Sequence, residues 1–405
     1  METELAVLLF IRSLPRDLQH EILKRLERPQ ILCFRAASKH FRNTLSLPPK
    51  PISPHPDLVI PFCIHPDSSL PRQLLLTIST VYAIQRIETT SDDGDPANTW
   101  IVRVEELSSG VVRVKETLYR FVDGVPSHQL PRSLNLLDYR VRELSKVFGL
   151  VPAASEKYRK YVYFGKVVLS SYPDEFDSGF TILALCGKGS VIAWRKGDDF
   201  WTYIKIEGST APVHFQDIVY YNNKFYAVCY PRRVITVDPL TLKVTELDFE
   251  ITRYFPTLRG NNFLVKSSKD LFWICKEWQY LFGNYPFEDP NEYRTRVDVL
   301  KLDEKNNKWV EVSDELGNEA LFIGEKCSFS LSGKGYTPCK QNSVYFVDEQ
   351  LSEIGNCPGR DIGISKIGDF LATPIFAFPG YSKLFWPPPA WLICNQTSAS
   401  NPKHE

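Results

Sequence analysis

The sequence predicts a mainly β protein with a small α-helical module at its N-terminus. Three observations point there. Apolar residues recur at four-residue spacing near the start of the chain, at Leu14, Leu18, Ile22 and Leu26. From about Leu74 onward the chain breaks into short β-branched and aromatic segments bounded by Gly, Asn, Asp or Pro. After about residue 150 no strong helical periodicity returns. Many short strands at regular spacing mean a sandwich, a barrel or a propeller.

The helical unit runs from Ser13 to Ser46. Pro15 can open the first helix, because a proline at the first helical position loses no hydrogen bond and presets φ. Leu14, Leu18, Ile22 and Leu26, with Leu23 beside them, then form one apolar stripe. Pro29 breaks the pattern and can start a second helix through Ile31, Leu32, Phe34 and Ala36. Ser38 can cap a third helix carrying Phe41 and Leu45, and Pro48-Pro49 ends it. So small a unit cannot bury this apolar surface alone. It is either a cap docked on the following domain or a partner-binding module.

Composition excludes several classes. The chain has 405 residues, 43% hydrophobic and 24% charged, with zero formal net charge. These are ordinary globular values, with no overall charge directed at nucleic acid or a membrane surface. The helical unit is locally basic, which reads as a solvated helix face. Nine cysteines are scattered without a Cys-x-x-Cys pair, so a reducing compartment suits them better than a disulfide framework. The N-terminal apolar run is too short for a membrane span or signal peptide. Nucleus and/or cytoplasm is the expected location.

Prolines crowd the stretch from Leu47 to Pro71, which reads as an extended linker. The expected domains are therefore a helical module at 1–46, a proline-rich linker at 47–73, a β domain at 74–395 and a tail at 396–405. In the β domain, LLLTISTVYAI is the first strand. TWIVRVEEL and GVVRVKETLYRF flank a turn at Ser108-Ser109-Gly110. Leu134 to Leu150 is ambiguous and can hold a short helix. KVVLSS, FTILALCG and a series of similar segments follow.

A weak internal repeat favours the propeller. A strand ends in aspartate, a short turn follows, and another strand returns. VITVDPLTLKVTEL (234–247) and VDVLKLDEKNNKWVEV (297–312) show this, and IAWRKGDDFWTYIKI (192–206) is related. The preceding pairs match as well, DIVYYNNKFYAVCY against FLVKSSKDLFWICKEW. One such unit resembles a four-stranded blade of roughly 40–50 residues. An irregular six- or seven-bladed ring is expected, with a loop near 277–294.

No catalytic constellation emerges. Gly187-Lys188-Gly189-Ser190 is too short for a phosphate loop and reads as a turn. Cys63-Ile64-His65 has no second ligand pair, so no metal site is expected. Asp198-Asp199 and Asp92-Asp93 sit in turn contexts. Tyr220, Tyr221, Phe225 and Tyr226 alternate as packing residues do. Loop residues Tyr172, Asp174, Tyr230, Arg232, Arg233, Tyr280 and Tyr285 are the better candidates for a binding face, since Tyr and Arg are favoured anchors at interfaces.

The helical unit resembles an F-box. The family pattern falls on Leu14-Pro15, Ile22-Leu23, Leu26 and the aromatic-Arg pair Phe41-Arg42. Ala37 and Phe41 stand where the family usually has Cys and Trp, and Pro29-Gln30 replaces an acidic residue. The resemblance extends through LNLLDYRVREL (134–144), FQDIVYYNNKFYAVCYPRRVITVDP (215–239), ALFIGEKCSFSLS (320–332), CKQNSVYFVDE (339–349) and GYSKLFWPPPAWL (380–392). Together these are similar to a plant family of the SKP-interacting-partner type, in which an F-box precedes a kelch-like or propeller-like domain of unknown function. That resemblance implies a non-catalytic substrate receptor. An SKP-family adaptor would dock on Leu14, Pro15, Leu18, Ile22, Leu23, Leu26, Ile31, Leu32, Phe34 and Phe41, and bring a cullin with it. The β domain would recruit a protein client through Tyr172, Arg232, Arg233, Tyr280 and Tyr285. No cofactor, nucleic acid or membrane is implied. Two other readings compete: a scaffold that binds the adaptor without a ligase, and a propeller-type enzyme with a helical cap.

Overall fold

The computed structural model describes residues 59–62, 73–87, 98–106, 112–115, 138–153, 163–171, 179–187, 189–208, 213–230, 233–247, 260–280, 293–312, 316–332, 339–348, 362–369, 372–378 and isolated positions near 117, 134 and 381–392. The stretches expected to form the helical module and the C-terminal tail lie outside the described residues. The described part is built of strands in four sheets.

The first sheet holds β1 (Val59–Pro61), β2 (Gln73–Arg86), β3 (Thr99–Glu106), β4 (Val112–Lys115), β5 (Tyr139–Pro152), β6 (Phe164–Leu169), β7 (Thr181–Cys186), β8 (Val191–Arg195) and β9 (Thr202–Tyr203). Its order is β4-β3-β2-β5-β6-β7-β8-β9, with β1 paired to β2. β5 meets β6 at one residue pair, Phe148 and Val167, so the sheet divides there into two groups. The second sheet is an antiparallel meander of β10 (His214–Tyr221), β11 (Lys224–Tyr230), β12 (Arg233–Val237) and β13 (Val244–Leu247). The third repeats it with β14 (Asn261–Lys266), β15 (Leu271–Tyr280), β16 (Tyr293–Asp303) and β17 (Lys308–Glu311). The fourth contains β18 (Glu319–Ile323), β19 (Phe329–Ser332), β20 (Ser343–Val347), β21 (Ile362–Lys366) and β22 (Thr373–Pro374), in the order β19-β18-β20-β21-β22. There β18 and β20 run parallel.

Local chemistry makes these turns. Asn222 and Asn223 join β10 to β11 with φ of 44° and 59°, the left-handed pair that a two-residue hairpin needs and asparagine tolerates. The repeated aspartates close the outer turns. Asp238 accepts hydrogen bonds from the Leu240 and Thr241 N–H groups at 3.0 and 2.8 Å and from the Thr241 hydroxyl. Asp303 accepts from the Lys305 and Asn306 N–H groups and the Asn306 amide. Asp198 accepts from Arg195 Nε at 2.9 Å. These bonds substitute for backbone pairing in a tight reversal. The turn expected at Gly187–Ser190 joins β7 to β8, and Gly189 adopts φ of +72° there.

The core lies between sheets. Leu183 and Ala193 of the first sheet pack on Ile218 and Ala227 of the second. Tyr226 and Val234 of the second pack on Trp273 and Leu300 of the third. Ile274 and Val299 of the third meet Leu321 and Val344 of the fourth. Phe322 and Tyr345 of the fourth return to Val81, Ala83 and Ile101 of the first. Among the described residues no strand pairing joins the fourth sheet to the first; side chains make that junction.

Several expectations need correction. Leu134 to Leu150 contributes no helix among its described residues. Tyr139–Pro152 is a strand, paired with β2 over most of its length. β1 lies inside the stretch expected to be a linker, and its Ile60 is fully buried. The described strands form five groups, counting the divided first sheet as two.

Candidate functional site

The turns at one end of the second and third sheets enclose an open groove of about 930 Å³. Tyr221 and Asn222 reach it from the β10–β11 turn, Lys269 and Asp270 from the β14–β15 turn, and Lys301 and Glu304 from the end of β16 and its turn. The walls hold one another in place. Tyr221 donates its hydroxyl hydrogen to the Lys269 carbonyl at 2.8 Å, and the Asn222 amide donates to Glu304 at 2.6 Å. Lys301 pairs with Asp270 at 2.9 Å. Burial, and then the Glu304 carboxylate, push the Tyr221 phenol up to about 12, so it stays a neutral donor. Val310, half-exposed on β17, adds an apolar spot on the outer wall.

The first strands of neighbouring groups are tied together beneath these turns. Lys166 of β6 forms an ion pair with Asp217 of β10, with Nζ at 2.8 and 2.9 Å from the two carboxylate oxygens. Asp217 also accepts the Ile218 N–H at 2.8 Å and, across the sheet boundary, the Leu264 N–H of β14 at 2.7 Å. Burial pushes this carboxyl up, while Lys166 and the two N–H groups pull the other way. A register shift between Phe215 and Asp217 accompanies the arrangement. Such a bulge re-aims side chains. Gln216, within it, accepts from the Asn262 amide, while Asn262 accepts the Trp273 indole N–H at 2.8 Å. One carboxylate therefore couples β6, β10 and β14.

Of the loop residues singled out from sequence, Tyr230, Arg233 and Tyr280 fall among the described residues. Tyr172, Arg232 and Tyr285 lie outside the described residues, as do all the F-box positions from Leu14 to Phe41. Tyr280 ends β15. Arg233 starts β12 and is engaged by Glu246 of β13 through two hydrogen bonds. Those bonds hold Glu246 below the usual carboxylate range. Arg233 is thus a cross-strand partner within its own sheet. Tyr230 and Arg233 sit at the β11–β12 connection, at the opposite end of β11 from the Asn222-Asn223 turn. Sequence reasoning missed Lys166 and Asp217. Their signal was a charged residue placed within or beside an apolar strand run, in KVVLSS and DIVYY.

The groove is open, polar and rimmed by charge. Among the described residues no three His, Cys, Asp or Glu side chains gather as a metal set, and no helix is long and apolar enough to cross a membrane.

Comparison with known proteins assigns both parts of the chain. Residues 11–52 match the F-box domain, and residues 87–366 match the KIB1-4 beta-propeller. The chain is similar to F-box protein SKIP23 of Arabidopsis thaliana, 26% identical over 94% of this chain and 95% of that protein. It is also similar to the putative F-box/kelch-repeat protein At5g24040 of the same plant, 24% identical over 95% of this chain and 98% of that one. A third Arabidopsis relative, F-box protein At2g17036, is 26% identical over 75% of each chain. With an F-box at its N-terminus and a propeller match over most of the remainder, the chain belongs to the KIB1-4 β-propeller family of plant F-box proteins.

Proposed function

We propose that the protein is the substrate-recognition subunit of an SKP–cullin–F-box ubiquitin ligase. The observation that carries this reading is the F-box match at 11–52 ahead of the propeller match at 87–366. The adaptor docks on the apolar stripe of Leu14, Leu18, Ile22 and Leu26, with Pro15, Leu23, Ile31, Leu32, Phe34 and Phe41 completing the surface. The β domain holds a protein client, and the open groove beside Tyr221 and Lys301 is its docking end. The chain performs no bond chemistry. It raises the effective concentration of client lysines near the charged conjugating enzyme. The complex works in the nucleus and/or cytoplasm. The domain limits of 1–46, 47–73 and 74–395 are part of this proposal, with the stretch from Val59 to Pro61 lending its strand to the β domain.

The test is co-purification of the full-length chain with an SKP-family adaptor and a cullin, using Leu14→Ala/Pro15→Ala as the control. Adaptor and cullin retained by the wild type and lost in the variant support the reading. Adaptor without cullin points to a scaffold. Absence of adaptor from both refutes the docking surface and leaves the helical unit as a cap.

A further inference from the structure

The face of the first sheet that meets the fourth is apolar at Val81, Ala83 and Ile101. Alternate residues of a strand share a face, so on β3 this surface continues from Ile101 to Arg103 and Glu105. Both are buried, at 6% exposure each. On β4, Lys115 stands directly across from Arg103, and Arg113 across from Glu105. Among the described side chains one carboxylate serves this corner: Glu105 binds Lys115 at 2.6 Å, with Arg113 at 3.9 Å, and attracts Arg103 without touching it. Arg103 makes no side-chain hydrogen bond or ion pair among the described residues, and its Nε is shut off from solvent.

The turn between β18 and β19 covers this corner. Cys327 in that turn is 3% exposed and faces Arg103. Burial pushes its thiol up to about 11, so it brings no negative charge. A Cβ on Gly324 would stand 2.7 Å from the Leu118 carbonyl oxygen, so glycine is what lets the turn come down. Burying a guanidinium without a partner is costly. Among the described side chains of β3 and β4, three cations surround one carboxylate.

We propose that this corner between the first and fourth sheets binds a small free oxyanion of phosphate size. Arg103 is its floor, because the guanidinium fork matches two oxygens of a phosphate or carboxylate. Lys115 and Arg113, with side chains 26% and 48% exposed, form the wetter entrance. Among the described side chains of these two strands, three cations less one carboxylate leave a surplus of two positive charges for the ligand. Depth favours a free anion over a group displayed on a folded partner. This site stands apart from the groove assigned to the client.

The experiment is equilibrium dialysis of the full-length chain against labelled inorganic phosphate, with chloride holding the ionic strength constant. Unlabelled citrate, in a second arm, separates a phosphate site from a carboxylate site. The wild type should retain about one equivalent, and Arg103→Gln should bind ~10-fold more weakly or worse, as loss of a charge-assisted fork requires. Arg113→Gln at the entrance should weaken binding by only ~2-fold, since exposed charges are screened. In chloride alone Arg103→Gln should unfold no more easily than the wild type, and phosphate should raise the midpoint of the wild type only. No retention by the wild type, or equal retention by Arg103→Gln, overturns the proposal. Failure of Arg103→Gln to fold would overturn it too, because it would make the guanidinium a structural partner.

Discussion

Replacing Asp217 with asparagine tests the link between β6, β10 and β14. The substitution keeps the side chain's shape but removes its charge. Lys166, whose side chain is 6% exposed, would then lie buried without a counterion. An amide also presents N–H hydrogens where the carboxylate accepts from Lys166, Ile218 and Leu264. Breaking one side of a buried ion pair costs ~3–5 kcal/mol. An orphaned backbone N–H at Leu264 belongs to the same penalty and is worth ~1–3 kcal/mol by itself. An exposed pair would lose only ~0–1 kcal/mol, so the two cases are well separated. Urea unfolding followed by tryptophan fluorescence reads the difference. Lys166→Met combined with Asp217→Asn should recover part of the loss, because the stranded ammonium is gone. A loss below ~1 kcal/mol for Asp217→Asn, in the range of an exposed pair, would refute the reasoning. Strict additivity in the double variant would do the same.

Three further outcomes follow from named contacts. Gly189→Ala should lose ~1–2 kcal/mol in urea unfolding from the left-handed backbone alone, with added crowding because the new Cβ would fall 2.6 Å from the His214 ring; an unchanged midpoint would contradict the turn geometry. Asp238 and Asp303 lie below the ordinary carboxylate value of 3.8 because their turn donors favour the charged form. Depressed folded values mean that this stabilisation is complete above 3.8 and is lost as pH falls through the folded values; carboxyl NMR titration should show it, and Thr241→Ala should move the Asp238 midpoint upward. Cys186, Cys229 and Cys327 have thiols pushed up to about 11 by burial; because the thiolate is the reactive form, mass spectrometry should find them unalkylated at neutral pH until urea is added.

The sequence made the second and third sheets legible because their information is local. The aspartates at 198, 238 and 303 fall at the turns the repeat implied, and alternation at Tyr220–Tyr226 marks opposed faces. Leu134–Leu150 was harder. Its charged and apolar residues satisfy helical spacing as well as alternation. The outcome was set by pairing with β2, which is more than fifty residues earlier in the chain. β1 was hidden by prolines that suit a sheet's edge as well as a linker. The parallel pairing of β18 with β20 has no local signature, nor does the meeting of Lys166 with Asp217. Of the groove, the turn residues were visible one by one. Their convergence depends on how neighbouring sheets pack.

The return of Phe322 and Tyr345 onto Val81, Ala83 and Ile101 has a consequence for biosynthesis. The Ile101 N–H also reaches the Leu384 carbonyl at 2.7 Å, so the start of the β domain waits for its very end. At ribosomal speeds of about 5–20 residues per second, that wait lasts on the order of ten seconds to a minute. During it the nascent first sheet carries a bare apolar face. A stalled or prematurely terminated chain keeps that face uncovered and offers it to chaperones and proteases. Once synthesis has passed Leu384 the β domain hides it, so the same residues separate a closed domain from an exposed fragment.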